Sequence, residues 1–197
     1  MTRLLVEMRP MTQPSPLPTP GSAPAPQRLD PLVQDNVRAL DEAIAVLEGL
    51  PEAEYAAPSQ VGSTIGAHFR HVLDHYVCLL EGLESGLVHY EGRRRDPVVE
   101  TDRAAALTLA RQLARRVAAL PPTAFSHPLL VRCLAGELAE RLHGDHPTTA
   151  PRELHFVLLH AVHHYSFIAV ELKLRGYAVD PDFGIAPATR AWRAARS

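Results

Sequence analysis

The sequence predicts an all-α protein, a four-helix bundle in which long connections leave room for crossovers. Four segments carry apolar residues at spacings of three and four, the period of an amphipathic helix. Helix-capping residues precede these segments, and proline or glycine follows them. Four such helices can bury their apolar stripes against one another in a bundle. Hydrophobic residues make up 46% of the chain, which is enough for a single core of this kind.

A proline-rich stretch precedes the first helix. Residues 1–28 hold seven prolines among serine, threonine, glutamine and alanine. Proline at this density breaks helices, and such a composition offers few residues to a core. We therefore expect residues 1–28 to form a disordered tail and residues 29–197 to form a single domain.

The first two helices are predicted from their caps and their stops. Asp30 and Pro31 suit the start of a helix that ends near Gly49. Ser63 caps the second helix, which stops near Gly86. Their apolar faces are Leu32, Val33, Val37, Leu40, Ile44 and Leu47 in the first, and Ile65, Val72, Leu79 and Leu83 in the second.

The third and fourth helices are predicted in the same way, from their caps and their stops. The third begins at Asp102 and ends at Pro121. The fourth runs from about Pro151 to Arg175, and Gly176 takes the position just after its C-terminus. Their apolar faces are Leu107, Leu109, Leu113, Val117 and Leu120 in the third, and Leu154, Val157, Leu158, Ala161, Phe167, Ile168 and Leu172 in the fourth.

The remaining segments are predicted to be irregular. The connection from Tyr90 to Thr101 is too rich in arginine and glycine to be core, and residues 144–147 read as a turn. Residues 129–134 could form a short strand or an extended segment. Residues 177–197 are expected to be an extended tail packed on the bundle. The second and third connections are long enough for a crossover.

Composition excludes several functions. The net charge of −2 gives no basic footprint for nucleic acid. No apolar run is long enough to cross a membrane, and Glu7 and Arg9 interrupt the N-terminal apolar stretch too early for a signal peptide. The only cysteines, Cys78 and Cys133, are far apart, which excludes a disulfide framework and favours a cytoplasmic protein.

Histidine is unusually frequent, with eleven residues in the chain. Six of them lie on the second and fourth helices: His68, His71, His75, His160, His163 and His164. On a helical projection the members of each triplet share a stripe with large apolar residues, so both triplets should face the bundle interior. We call these six residues the histidine cluster.

Buried imidazoles need partners, because each unsatisfied polar group costs about 1–3 kcal/mol. Water, a carboxylate or a metal ion could satisfy them. The one-turn spacing of His160 and His164 suits two ligands of one ion, and a third histidine from the second helix would leave positions open for substrate. The alternative is a metal-free bundle in which water and neighbouring histidines satisfy the rings.

At these residues the chain resembles the DinB-like superfamily of metal-binding bundles. That family has its first ligand about seven residues after a Ser/Thr–Ile cap, which corresponds to His71 after Thr64–Ile65. Its last long helix carries HxxxH and a run resembling HRGQIAxxLRxxG, matched here over residues 160–176. The resemblance implies a divalent-metal site of His71, His160 and His164, and a homodimer.

The chain also departs from that pattern. Residues 165–167 read Tyr-Ser-Phe where the family has Arg-Gly-Gln. His68, His75 and His163 are additional, and line the cavity or serve as alternative ligands. With them, His68 or His75 could replace His71 as the ligand from the second helix.

The resemblance implies a metal-dependent enzyme, a thiol S-transferase or a related enzyme, that uses a low-molecular-weight thiol, such as bacillithiol or mycothiol, on a small-molecule substrate. A bound divalent ion can lower the pKa of a thiol and present a thiolate to an electrophile. Zinc is the default ion, and nickel, iron or manganese also suit three histidines with open positions. The alternatives are a metal-binding or stress-response protein without turnover and a metal-free dimeric bundle.

Residues outside the cluster receive structural roles. Cys78 is interpreted as a small buried hydrophobe, and Tyr165 as a packing residue. Glu171 is expected to pair with Arg175 one turn later, or else to accept a hydrogen bond from a metal-binding histidine. The other histidines are expected at the surface or in loops: His89, His127, His143, His146 and His155.

Overall fold

The computed structural model describes residues 30–60, 62–133 and 144–196. The predicted tail at residues 1–28 and His143 lie outside these ranges. Four long helices dominate the described chain: α1 (Pro31–Gly49), α3 (Ile65–Ser85), α5 (Arg103–Ala118) and α6 (Ala150–Leu174). The predicted all-α fold is confirmed. Within the described ranges no helix is long and apolar enough to cross a membrane.

Side-chain caps fix where the long helices begin. The Asp30 carboxylate accepts a hydrogen bond from the Leu32 amide at 2.8 Å, and Asp102 does the same for Ala104. Thr64, one residue after the predicted Ser63, caps α3 by accepting from the Ala67 amide at 3.0 Å. At the other end of α6, Gly176 has the positive φ of 85° that the sequence predicted for its position.

The four long helices form a ring in the order α1, α5, α3, α6, in which each helix packs against two others. Helices α1 and α3 therefore lie across the bundle from each other, as do α5 and α6. The first connection, which contains α2 (Glu52–Tyr55), and the third connection are the crossovers. The prediction of a crossover in the second connection is wrong, because that segment joins the neighbours α3 and α5.

The core fills the space between these helices, and most predicted apolar positions are buried. On α5 the buried face is shifted toward alanines, Ala106, Ala110 and Ala114, because small side chains let that helix approach its neighbours closely. Phe167 of α6 was predicted in the core but is exposed. Its place in the stripe lies at the edge of the bundle, beside the histidine cluster.

A small sheet lies at one end of the bundle. Strand β1 (Leu87–Val88) pairs in parallel with β2 (Leu129–Cys133), and β2 pairs antiparallel with β3 (Gly144–Thr148). The strand option for residues 129–134 is confirmed over 129–133. The turn predicted at 144–147 is wrong, since Pro147 fits an edge strand whose outer side needs no donor.

The connection between α3 and α5 is more ordered than its composition suggested. It contains β1 and the short helix α4 (Pro97–Thr101). Val88, Tyr90 and Val99 are buried in it, while its arginines lie nearer the surface. The expectation that this segment contributes nothing to the core is therefore wrong, because its few apolar residues point inward between polar neighbours.

The C-terminal segment packs on the bundle but is not wholly extended. Residues 187–194 form a further helix, α7 (Pro187–Ala194). The Phe183 ring stacks on Tyr165 of α6 at 5.0 Å, and Arg190 pairs with Glu42 of α1. The prediction of an extended tail is corrected over these residues, since Pro187 at the first turn favours a helix there.

Candidate metal centre

Helices α3 and α6 are neighbours in the bundle, and their facing sides bring the histidine cluster together. The His71 ring lies 4.9 Å from that of His160 and 4.5 Å from that of His164. His160 and His164 are 4.7 Å apart, as expected one helical turn from each other. The convergence of imidazoles from two distant segments is therefore present in the structure.

His71 and His160 make the tightest contact between the two helices at this level. Their Nε2 atoms are 2.9 Å apart. Nitrogens of His71, His75 and His160 all lie within 4.8 Å of one another, close enough for one ion to reach all three. His71 and His160 thus belong both to this group and to the predicted set of His71, His160 and His164.

His164 makes its nitrogen contact with a different member of the cluster. Its Nδ1 lies 2.9 Å from the Nδ1 of His68. This contact does not use Nε2 of His164, but His164 is not in the group of nitrogens that lie within 4.8 Å of one another. The third member on α6, His163, is exposed, and its ring packs edge-on against His164 and Phe167.

The nitrogen spacing suits a divalent ion. Two imidazole nitrogens that bind one ion at about 2.0–2.1 Å lie about 2.9 Å apart at right angles and about 3.3 Å apart in the tetrahedral geometry of zinc. The Nε2 atoms of His71 and His160, at 2.9 Å, match the right-angled case and also an N–H···N hydrogen bond. Imidazole nitrogen is a ligand that zinc, nickel and iron all accept, so the donor set fits a transition metal.

A backbone contact fixes the orientation of His75. Its Nδ1 lies 2.7 Å from the carbonyl oxygen of His71, so Nδ1–H donates and Nε2 is free. Metal-binding histidines commonly use the second ring nitrogen in this way, because the hydrogen bond selects the tautomer and holds the ring. His75 is the most deeply buried histidine of the cluster.

Burial keeps the cluster in the form that binds metals. Desolvation, together with repulsion from His75, His164 and His160, lowers the pKa of His71 to about 3. Desolvation in the same way lowers the pKa of His164 to about 3 and that of His75 to about 4. These rings are therefore neutral at pH 7, with lone pairs ready for an ion.

Aromatic side chains close one end of the cluster. Tyr90, from the connection after β1, stacks on His75 at 5.2 Å, and Phe156 of α6 stacks on His160 at 5.7 Å. The Tyr90 hydroxyl donates to Glu153 at 2.8 Å, and Glu153 also accepts from Thr148 at 2.6 Å. This buried network anchors the wall that shields the histidines from solvent on that side.

Comparison with known proteins decides the family. Residues 36–168 match the DinB superfamily. The chain belongs to the DinB superfamily. Among solved structures it is similar to YfiT from Bacillus subtilis, described as a probable metal-dependent hydrolase with an unusual four-helix bundle topology. The two share 15% identity with a TM-score of 0.56, over 81% of this chain and 94% of that chain. No curated protein matches.

The match confirms the DinB resemblance seen in the sequence, and the likeness to YfiT confirms the four-helix bundle. In this DinB superfamily chain, His155 on α6 and His127 are exposed and lie outside the cluster, as expected. His89 is half-buried in the loop after β1. His146 was expected at the surface or in a loop but is half-buried in β3, because that strand pairs with β2.

Two residues near the cluster, Tyr90 and Glu153, were not predicted from the sequence. Tyr90 lies in the connection and on no histidine stripe, whereas Glu153 precedes His160 by two helical turns and shares its face of α6. Tyr90 is the one aromatic residue of an arginine-rich connection, and that contrast was the available signal. Glu153 could not be singled out, because a carboxylate in the first turn of a helix is common at helix N-termini.

The structural roles assigned to three other residues agree with the structure. Cys78 is buried, and desolvation raises its pKa to about 11, so its thiol stays protonated at pH 7. Tyr165 is fully buried in the core. Glu171 pairs with Arg175 at 2.6 Å rather than with a histidine, so it belongs to the end of α6 and not to the cluster.

Proposed function

We propose that this DinB superfamily protein binds one divalent metal ion between α3 and α6 and is an enzyme that uses the ion with a low-molecular-weight thiol. The observation that carries the proposal is the 2.9 Å approach of the His71 and His160 Nε2 atoms, in a cluster of neutral imidazoles. His71 contacts His160 and His68 contacts His164, so a metal-free protein would pair these rings by hydrogen bonds, and metal content separates the two cases.

We propose His71 and His160 as two of the ligands, because their Nε2 atoms make the close contact between the helices. We propose His164 as the third, because it lies one turn from His160 and its Nδ1 contact with His68 leaves Nε2 for an ion. His75 is the alternative third ligand, supported by its nitrogen within 4.8 Å of both His71 and His160. His68 and His163 then orient or flank the ligands.

A bound divalent ion would lower the pKa of a thiol or a water molecule and so supply a nucleophile at pH 7. The protein's own part is to hold neutral imidazoles in place and to keep water away on one side. The Tyr90 and Phe156 rings provide that exclusion. Zinc is the ion we propose first, with nickel, iron or manganese as substitutes.

Hydrolysis is the second candidate function, favoured by the likeness in fold to YfiT, which is described as a probable metal-dependent hydrolase. In a hydrolase, water would take the place of the thiol. The two candidates share the metal centre and differ in the nucleophile that a substrate requires. A non-catalytic metal-binding protein would show neither reaction.

The test is to load the purified protein with zinc and to measure two reactions. One mixture contains a thiol, bacillithiol or mycothiol, with a chlorinated aromatic or an epoxide. The other contains a nitrophenyl ester and no thiol. We expect conjugate formation in the first mixture, detected by mass spectrometry. Ester cleavage without a thiol would support the hydrolase, and loss of neither substrate would contradict an enzymatic role.

Two variants control this test. His160→Ala removes a ligand and should reduce conjugation to the uncatalysed rate. His155→Ala changes an exposed histidine of the same helix and should leave the rate unchanged. Equal conjugation by both variants would mean that the reaction does not use the cluster.

We further propose that the protein is a cytoplasmic homodimer acting on a small molecule. The free thiols of Cys78 and Cys133 support a reducing compartment. An exposed apolar face on α6, described below, supports the dimer.

A further inference from the structure

A second feature lies next to the histidine cluster and has no role in metal binding. A cavity of about 280 Å³ opens between α3 and the connection that follows it. Asp74, Cys78 and Glu81 line it from α3, and His89, Arg93 and Arg94 line it from the connection. Its size suits one functional group of a small molecule rather than a whole cofactor.

Two nitrogen atoms of this lining are buried without a partner. Nε of Arg93 and Nε2 of His89 have no hydrogen-bond partner among the residues that the structure describes. Buried donors are rarely left in this state, since each one costs the desolvation of a polar group. An acceptor from outside the chain would satisfy both.

Of the two arginines that line the cavity, one forms no ion pair among the residues that the structure describes. Asp74 is paired with Arg70 at 3.4 Å, and Glu81 is paired with Arg94 at 2.6 Å. In residues 30–60, 62–133 and 144–196, no carboxylate forms an ion pair with Arg93, whose Nη1 donates only to the Tyr90 carbonyl, at 3.2 Å. The guanidinium therefore has no direct ion-pair partner among the described residues, and Asp74 attracts it only at longer range.

The cavity and the cluster are close enough to act together. Asp74 and Cys78, which line the cavity, flank His75 on α3. Tyr90 connects the two places, because its ring stacks on His75 while its carbonyl accepts from Arg93.

We propose that Arg93 and His89 bind a carboxylate of the small molecule whose reactive atom lies at the histidine cluster. The planar fork of a guanidinium matches a carboxylate, and His89 with its proton on Nε2 supplies a further donor. A singly charged carboxylate fits better than a phosphate, because Asp74 lies in the same cavity. The inference rests on the proposed function for the reactive end of the ligand only.

Gly92 holds His89 in place. A Cβ at position 92 would lie 2.5 Å from Nδ1 of His89, so the backbone packs directly on the imidazole. Gly92→Ala should push that ring aside and weaken carboxylate binding, and it touches no member of the histidine cluster.

The experiment compares two thiols of equal length on the zinc-loaded protein by calorimetry. One is 3-mercaptopropionate, which carries a carboxylate, and the other is 3-mercapto-1-propanol, which does not. We expect the carboxylate to bind at least about tenfold more tightly, the worth of one hydrogen bond to a charged group. Arg93→Gln should abolish this preference, and Arg93→Lys should restore part of it because the charge returns.

Arg111→Gln is the control, since Arg111 is exposed on α5, pairs with Glu48 and does not line the cavity. It should keep the full preference. Equal binding of the two thiols by the original protein, or an undiminished preference in Arg93→Gln, would overturn the inference while zinc binding stands.

If the protein takes up no zinc, the proposed function fails and a second measurement decides the inference. Propionate is then titrated into the metal-free protein and followed by the NMR signals of the Arg93 side chain. Shifts that saturate, and that His89→Gln weakens, would support a carboxylate site independent of metal. An unchanged spectrum would overturn it.

Discussion

Single side chains decide which ion the cluster could hold and how tightly. His71 and His160 approach through Nε2 atoms, while His75 and His164 each use Nδ1 for another contact. The four rings meet between α3 and α6, and nitrogens of three of them, His71, His75 and His160, lie within 4.8 Å of one another. A catalytic site needs only three of them, because an open position must remain for substrate.

The third ligand can be assigned by substitution. We expect His164→Ala to lose at least nine-tenths of the bound metal, and His75→Ala to keep most of it, because a removed hydrogen-bonding neighbour typically costs about 10–100-fold in affinity and a removed ligand costs more. Metal content after dialysis against a weak chelator measures both. The opposite pattern would make His75 the third ligand.

The sequence predicted the cluster because histidine stripes on two helices can be read from helical periodicity alone. It could not predict which nitrogens meet, since a shift of one turn along α3 exchanges His71 for His68 or His75 with little change in the pattern. The sequence also could not predict, for another reason, that Arg93, His89 and Tyr90 lie near the cluster. They come from a connection whose path depends on where β1 and α4 pack.

At the scale of elements, the end of α6 fixes the first crossover. Arg175 donates to the Glu54 carboxylate at 2.8 Å and to backbone carbonyls of Glu54 and Pro58. Glu171 accepts from Ser59 and from the Gln60 amide. Both charges are almost fully buried. The pair therefore ties the crossover to the helix that carries half of the histidine cluster.

Breaking this pair should destabilise the fold strongly. Arg175→Met leaves the Glu171 carboxylate buried and uncompensated, so we expect the free energy of unfolding to fall by about 3–5 kcal/mol. Arg116→Met, which breaks an exposed pair with Glu84, should cost about 0–1 kcal/mol. Urea unfolding at pH 7 measures both. Equal effects of the two substitutions would show that burial adds nothing to the Arg175 pair.

The same pair gives a pH dependence. Desolvation would raise the pKa of Glu171, but hydrogen bonds from Arg175, Gln60 and Ser59 outweigh it and hold the pKa below the ordinary 4.5. The contribution of Glu171 to stability is therefore present above pH 4.5 and is lost as the pH falls below it. The loss of stability on acidification through this range should be smaller in Arg175→Met, because without Arg175 the pKa of Glu171 is lowered less.

Elements were predicted well where a cap and a periodic stripe coincide, as at Asp30 and Asp102. Prediction was wrong for β3, because Gly144 and Pro147 are typical of turns unless a partner strand is known. It was wrong for α7 because eight residues with a proline resemble a loop. In both cases long-range packing overrides the local signal.

At the scale of the whole molecule, the ring of four helices leaves one side of α6 uncovered. The exposed large apolar residues there are Leu159, Phe167, Val170 and Leu174. They recur along one face of the helix, beside the exposed His163. A contiguous apolar face of this kind is typical of a protein interface, and a second copy of the chain would cover it symmetrically.

We expect the protein to be a dimer in solution, with twice the chain mass of 21.6 kDa by light scattering. Val170→Asp places a charge in the centre of the α6 face and should yield monomers. Val98→Asp changes an equally exposed residue of α4 and should leave the dimer intact. A monomeric original protein, or a dimeric Val170→Asp variant, would contradict an interface on α6.

The overall account depends on one ion shared by α3 and α6. The most direct measurement is the metal content of the purified chain by mass spectrometry, compared with His160→Ala and His155→Ala. We predict about one divalent ion per chain in the original protein and in His155→Ala, and none in His160→Ala, because the latter removes half of the His71–His160 contact. Full metal content in His160→Ala, or a chain that stays empty in metal-supplemented medium, would contradict the account.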